Sequence, residues 1–250
     1  MAGLTHHVNI GDDDGAPPWS TLFQLAQSTP TDGWVLVGGL MVQLHARRAG
    51  IPEPRATRDV DMLVDVVGQR ASAGGIAAAL TQAGFTAQVP ESRNAAVYRF
   101  ERGREQVDVM VADHLPPKFV PRVLQRPALV APAGEQAIRR ADTFVIASTV
   151  TTITVQAPDV LGALVAKGAA YTVDNRDRRR HLDDAASLLA SIDRVGDLEL
   201  RTLSKNDRRR LRAIAAELPL TAASWEQVDA EFRGRGQQNL QRLVLGAQLN

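Results

Sequence analysis

VGGLMVQLHARRAGIPEPRATRDVDMLV, residues 37–64, holds the end of a strand, a helix and a second strand in that order. The apolar run Trp34 to Val37 predicts a compact buried strand. Gly38 and Gly39 follow it, and LMVQLHARRAG then predicts a helix ending near Gly50. IPEPRAT is a loop. DVDMLVDVV largely alternates, with Val60, Met62, Val64 and Val66 on one face and Asp59, Asp61 and Asp65 on the other. Leu63 and Val67 are the apolar exceptions on the second face. A strand with one buried and one mostly polar side follows from this pattern.

Outward from this block, WSTLFQLAQS before it predicts a short amphipathic helix, and residues 1–18 read as a disordered polar tail. Beyond it, a helix spans roughly Ala71 to Ala83. AAVYRFER and EQVDVMVAD form a hairpin with Gly103 at its turn. In the second hairpin strand Val107, Val109 and Val111 face one way, and Gln106, Asp108 and Met110 the other. FVIAS and TITVQ are further short strands. From Pro158 the chain turns helical: DVLGALVAKGAAY, RRRHLDDAASLLASI, KNDRRRLRAIAAEL and two shorter segments. The division expected is a tail over 1–18, an α/β (α+β) core over 19–157 with a small mixed sheet flanked by helices, and a C-terminal helical bundle over 158–250 that closes over it.

Asp59 and Asp61 are two apart on a strand, so their carboxylates leave one face. Asp108 stands on the polar face of another strand, and if the strands are neighbours three carboxylates converge. Hard divalent cations take such oxygen ligands together with substrate phosphates. The alternative is a set of acids that only solvates an exposed sheet face. Gly38-Gly39, between strand and helix, suits an anion site at a helix N-terminus, or a tight turn that needs positive φ.

Taken together, VGGLMVQLHARRAGIPEPRATRDVDMLV resembles the opening motif of the DNA polymerase β-like nucleotidyltransferases, and more closely that of the AbiEii-type nucleotidyltransferases and related MenT-type toxins. The matching positions are Gly38, Gly39, His45, Arg55, Thr57, Asp59, Asp61 and Asp108. VQAPDVLGALVAK followed by RRRHLDDAASLL resembles that family's second half, in which a helix lysine precedes K-D-x-x-D. Here Lys167 matches the lysine, Arg180 stands at the motif's own lysine and His181 at its first aspartate. Asp184 matches the last aspartate, with Asp183 as competitor; Asp184 lies nearer the apolar stripe of Leu182, Ala185, Leu188, Leu189 and Ile192.

The resemblance implies transfer of a nucleoside monophosphate from an NTP to an acceptor hydroxyl with release of pyrophosphate. It implies Asp59, Asp61 and Asp108 as ligands of two Mg²⁺ ions, or Mn²⁺ in their place. It implies Asp59, Asp61, Asp108, Lys167 and Asp184 as catalytic residues, and Gly38, Gly39, Arg55, Thr57 and Lys167 as the nucleotide site. Arg55 and Thr57, which share strand parity with the two aspartates, either touch phosphate, hold the carboxylates or only order the loop, and a solvated helix lysine is the alternative for Lys167. His45 is either functional or a core residue. The acceptor implied is RNA, at a tRNA 3′ end, and the role is that of a toxin with an antitoxin partner or of a phage-defence protein. Modification of an antibiotic hydroxyl, or a degenerate fold that only binds, are the alternatives.

Composition narrows the field further. With no cysteine there is no disulfide, thiolate metal site or cysteine nucleophile. No apolar run is long enough to span a membrane and the first residues do not read as a signal peptide, so cytoplasm is expected. A net charge of +1 gives no global attraction to polyanions. Arg176 and Arg178–Arg180, with Arg208–Arg210 and Arg212, form two basic tracts that either bind phosphate backbone or solvate helix faces. The three lysines are Lys118, Lys167 and Lys205.

Overall fold

A computed structural model describes residues 3–52, 55–68, 71–116 and 119–249; Lys118 lies outside these. The chain divides into two compact units, Met1–Met41 with Thr57–Pro158 and Val42–Ala56 with Asp159–Asn250.

The first unit is built on a mixed sheet. Its strands are β1 (Thr5–Gly11), β2 (Trp34–Val37), β3 (Asp59–Val64), β4 (Thr86–Ala87), β5 (Arg99–Arg102), β6 (Glu105–Ala112), β9 (Leu129–Ala131), β10 (Ala141–Ser148) and β11 (Thr152–Pro158). They run in the order β1-β10-β11-β2-β3-β6-β5-β4, with β9 pairing β6. A separate hairpin joins β7 (Arg122–Val123) and β8 (Arg126–Pro127). Helices α1 (Trp19–Ser28), α3 (Ala73–Gln82) and α4 (Gly134–Arg139) belong to this unit, and α2 (Gly38–Arg48) begins in it.

The mixed α/β class agrees with the sequence pattern, but among the described residues the sheet has nine strands and is not small. One reason is the N-terminal stretch, where Thr5–Gly11 forms β1 and not part of a disordered tail. Val8 and Ile10 alternate into the core while the polar residues between them face out. The β1 backbone pairs in parallel with β10, and Asp142 accepts from the Leu4 amide at 2.8 Å and contacts His6 Nε2 at 2.9 Å. A Gly/Asp-rich composition hid a five-residue alternation that a neighbouring strand is sufficient to order.

Strand β2 is buried on both faces, as its unbroken apolar run requires. On β6, Val107, Val109 and Val111 are fully buried, and on β3 so are Val60, Met62 and Val64. Val35, Val37, Leu63 and Ala137 form one core cluster. The hairpin β5–β6 turns at Gly103, whose φ of +61° is the left-handed conformation glycine adopts without a Cβ clash.

The second unit is helical: α5 (Val160–Val173), α6 (Arg179–Ala190), α7 (Lys205–Glu217) and α8 (Ala230–Gly246), together with the later part of α2. The last segment is the longest α-helix described, not a short one. Val42–Ala56, which the sequence pattern assigned to the core domain, belongs here. Arg48 donates to the Ser191 carbonyl at 2.9 Å, and Gln43 donates to the Arg55 carbonyl at 2.8 Å. α5 is buried on most sides, and a Cβ at Gly168 would stand 2.6 Å from the Arg210 carbonyl oxygen, so α5 and α7 pack backbone to backbone there. Ser204 and Asp207 cap α7 reciprocally, a motif worth about 1 kcal/mol. No helix among the described residues is long and apolar enough to cross a membrane.

Candidate active site and metal centre

Three strands position the first unit's acids. β2 and β3 are antiparallel with Val37 opposite Asp61; β3 and β6 are parallel with Asp61 beside Asp108 and Asp59 beside Gln106. Residues in register on neighbouring strands point to the same side, so Asp59, Asp61 and Asp108 meet. One carboxylate oxygen from each lies within 4.8 Å of the others. Thr57 donates to Asp59 Oδ1 at 2.8 Å and so holds that carboxylate in place.

Gly38 closes the site on the side of β2. Its φ is +73°, and a Cβ built on it would lie 1.7 Å from Asp61 Oδ2. The backbone therefore touches the carboxylate, and only glycine leaves room. α2 starts at this point, which turns its first N–H groups and the positive end of its dipole to the acids' surroundings.

Asp108 is buried, and its carboxyl is pushed above the ordinary carboxylate range by that burial, against the opposing pull of Arg99. Arg99, on β5 opposite Asp108, grips it with a two-pronged contact, Nε to Oδ1 at 2.9 Å and Nη2 to Oδ2 at 2.8 Å. The hydrogen bond to Asp108 holds the guanidinium proton still more firmly than in an ordinary arginine. The Gln106 amide oxygen, in the orientation that satisfies its neighbours, accepts from Arg99 at 3.1 and 3.2 Å. The sequence pattern did not single out Arg99. The signal was available: a two-residue turn at Gly103-Arg104 pairs Arg102 with Glu105, and counting back three sets Arg99 against Asp108.

The second unit gathers the other residues named from the sequence. Lys167 Nζ lies 2.6 Å from Asp184 Oδ2, and Arg55 donates to Asp184 Oδ1 from Nη2 at 3.3 Å and Nε at 3.4 Å. Lys167 and Asp184 are 6 % and 3 % exposed, so this is a buried ion pair with a half-exposed third partner. Asp183 instead lies 3.9 Å from Arg179 on its own helix. Arg55 and Thr57, alike in sequence position, part company: one serves Asp184, the other Asp59. His45 is buried on α2 at 2 % exposure, and Gly39 is buried on the same helix.

The buried pair sets an expected outcome. Lys167→Met strands the Asp184 carboxylate with Arg55 alone, at a cost of about 3 kcal/mol in urea unfolding. Adding Asp184→Asn removes the stranded charge and should recover most of it. Lys205, exposed at the start of α7, is the comparison; an equal loss for Lys205→Met would show that the buried pair has no special weight.

His181, at the departure from the family pattern, is buried with Nε2 3.0 Å from Asp174 Oδ2. Desolvation and then the Lys167 charge lower its pKa below the ordinary 6.5; Asp174 and Asp184 oppose this, and Arg180 adds to it. The unfolded chain therefore takes up this proton first as pH falls. Stability from neutral His181 is complete above about pH 6.5 and is lost as pH drops toward the lower folded value. Thermal melts should weaken between pH 7.5 and 5.5, and His181→Gln should flatten that slope. Asp174, held below the carboxylate range first by the Arg176 amide, gives up its contribution only in stronger acid. An unchanged slope in His181→Gln would assign the loss to other groups.

The chain belongs to the AbiEii family: the model described as nucleotidyl transferase AbiEii toxin, type IV TA system, matches residues 20–244. It is a nucleotidyltransferase of that toxin family. Among solved structures, the crystal structure of an antigenic nucleotidyltransferase-like protein from Paracoccidioides brasiliensis is similar at 15% identity, covering 80% of this chain and 88% of that chain with a TM-score of 0.49. No curated protein matches the chain.

Proposed function

We propose that this nucleotidyltransferase moves a nucleoside monophosphate from an NTP to a hydroxyl of RNA, at a tRNA 3′ end, as the cytoplasmic toxin of a pair with a cognate antitoxin. The observation that carries the chemistry is the three-carboxylate cluster walled by Gly38. Its donors are all hard oxygens, which fits Mg²⁺, or Mn²⁺ in its place, and the closeness of the acids suits two ions. Bound there, such ions would polarise the phosphate and favour the ionised form of the attacking hydroxyl.

The chain's own groups do the rest. Asp59, Asp61 and Asp108 would hold the ions, with Thr57 fixing Asp59. An Asp108 carboxylate oxygen takes the acceptor's proton. The acceptor oxygen bonds to the α-phosphorus as the bond to the bridging oxygen breaks and pyrophosphate leaves. Gly38 and Gly39 offer backbone N–H groups to the triphosphate. RNA as acceptor is supported by the exposed Arg176, Arg179 and Arg209.

Incubating the protein with each labelled NTP, Mg²⁺ and total RNA tests the reading. Labelled RNA with pyrophosphate release is the expected result. Label on an added aminoglycoside or lincosamide, but not on RNA, would replace the acceptor; no transfer to any acceptor would leave a fold that only binds.

A further inference from the structure

We propose that Arg99 guards the metal centre: its guanidinium occupies Asp108 until a divalent cation competes it away. The inference rests on the metal-site reading above and concerns how that site is regulated.

The grip is specific. The planar fork meets both Asp108 oxygens at 2.8 and 2.9 Å, the bidentate geometry arginine forms with carboxylates. Asp108 is buried at 6 % exposure whereas the Arg99 side chain is 37 % exposed. The acid is fixed in the sheet, and the cation that neutralises it stands at the surface with room to move. Tyr98 and Gln106 line its present position: the Tyr98 ring centroid lies 5.6 Å from the guanidinium carbon.

Two requirements then conflict. A buried carboxylate needs a counter-charge, and removing it is costly. A divalent ion ligated by Asp108 supplies that charge, but in the same place as the guanidinium, and two cations on one buried acid repel. Arg99 therefore keeps Asp108 satisfied in the empty protein and makes a bare ion bind poorly. Arginine forks also fit phosphate oxygens, so polyphosphate arriving with the ion gives the displaced guanidinium a partner. Metal alone is resisted; metal with nucleotide is accepted.

Mn²⁺ binding without nucleotide, read from the electron paramagnetic resonance signal of the free ion, tests this. Arg99→Gln should bind Mn²⁺ at least tenfold more tightly than the natural protein, and Arg99→Lys, which keeps the charge and loses the fork, should fall between. Arg104→Gln, which removes a charge exposed at the turn of the same hairpin, should match the natural protein. Equal or weaker binding by Arg99→Gln overturns the proposal, as does an equal gain in Arg104→Gln. If Arg99→Gln does not fold, Arg99→Lys carries the comparison: a gain of threefold or more supports the proposal and none overturns it. Adding Asp59→Asn to the tightest-binding Arg99 variant should abolish the gain. Gain that survives Asp59→Asn places the ion elsewhere and defeats the metal-site reading itself, whereas loss of Mn²⁺ binding in Asp59→Asn without any gain in the Arg99 variants defeats only the guard.

Discussion

Gly38→Ala is expected to abolish nucleotidyl transfer and to lower the unfolding free energy by about 2 to 3 kcal/mol. Two effects act at one atom. A φ of +73° is a left-handed conformation that costs a residue with a side chain roughly 1 kcal/mol or more. The added Cβ would also stand 1.7 Å from Asp61 Oδ2 and 2.5 Å from its Cγ. Relief requires the carboxylate to swing away or the start of α2 to shift, and either dismantles the cluster. Gly103→Ala separates the effects, since Gly103 has φ +61° but nothing within 4 Å of its would-be Cβ. It should cost about 1 kcal/mol and leave transfer intact. Thermal melts and a transfer assay on both variants make the check. A Gly38→Ala enzyme with natural activity would mean that Asp61 is not needed where it stands.

The second large effect falls on the acids themselves. Asp59→Asn and Asp61→Asn keep side-chain shape and remove a charged ligand. If the proposed centre supplies several kcal/mol of stabilisation to the transferring phosphoryl group, transfer should fall by at least about a thousandfold, equivalent to roughly 4 kcal/mol. Folding should change little, because like charges within 4.8 Å repel and removing one relieves the others. Asp65→Asn is the comparison on the same segment: Asp65 accepts from the Gly68 amide, and its replacement should leave the rate unchanged. Full activity in folded Asp61→Asn would refute the ligand role.

Much of this geometry was legible because strand periodicity is rigid. Once DVDMLV is a strand, Asp59 and Asp61 must share a face, and once EQVDVMVA buries its valines, Asp108 must face the other way. Whether β3 and β6 were neighbours was not legible, since a parallel pairing is made by the chain between them and not by either strand. Arg99 was missed for a different reason: a lone arginine on a short strand has no pattern of its own, and its meaning comes only from hairpin register. The N-terminal strand was misread because composition was weighed over alternation. Val42–Ala56 was assigned to the wrong unit because a helix following the Gly-Gly turn reads as part of that strand–helix motif, while its partners Ser191 and Asp184 lie far along the chain.

That distance bears on how the protein is made. Arg55 meets Asp184 across 129 residues of sequence, and the second unit draws on both Val42–Ala56 and everything after Asp159. On a translating ribosome the sheet unit has all its strands once Pro158 has emerged. At ordinary elongation rates the remaining residues take on the order of 5 to 20 s. Through that interval Val42–Ala56 lacks its partners Ser191 and Asp184, so the Arg55–Asp184 contact is among the last to become possible.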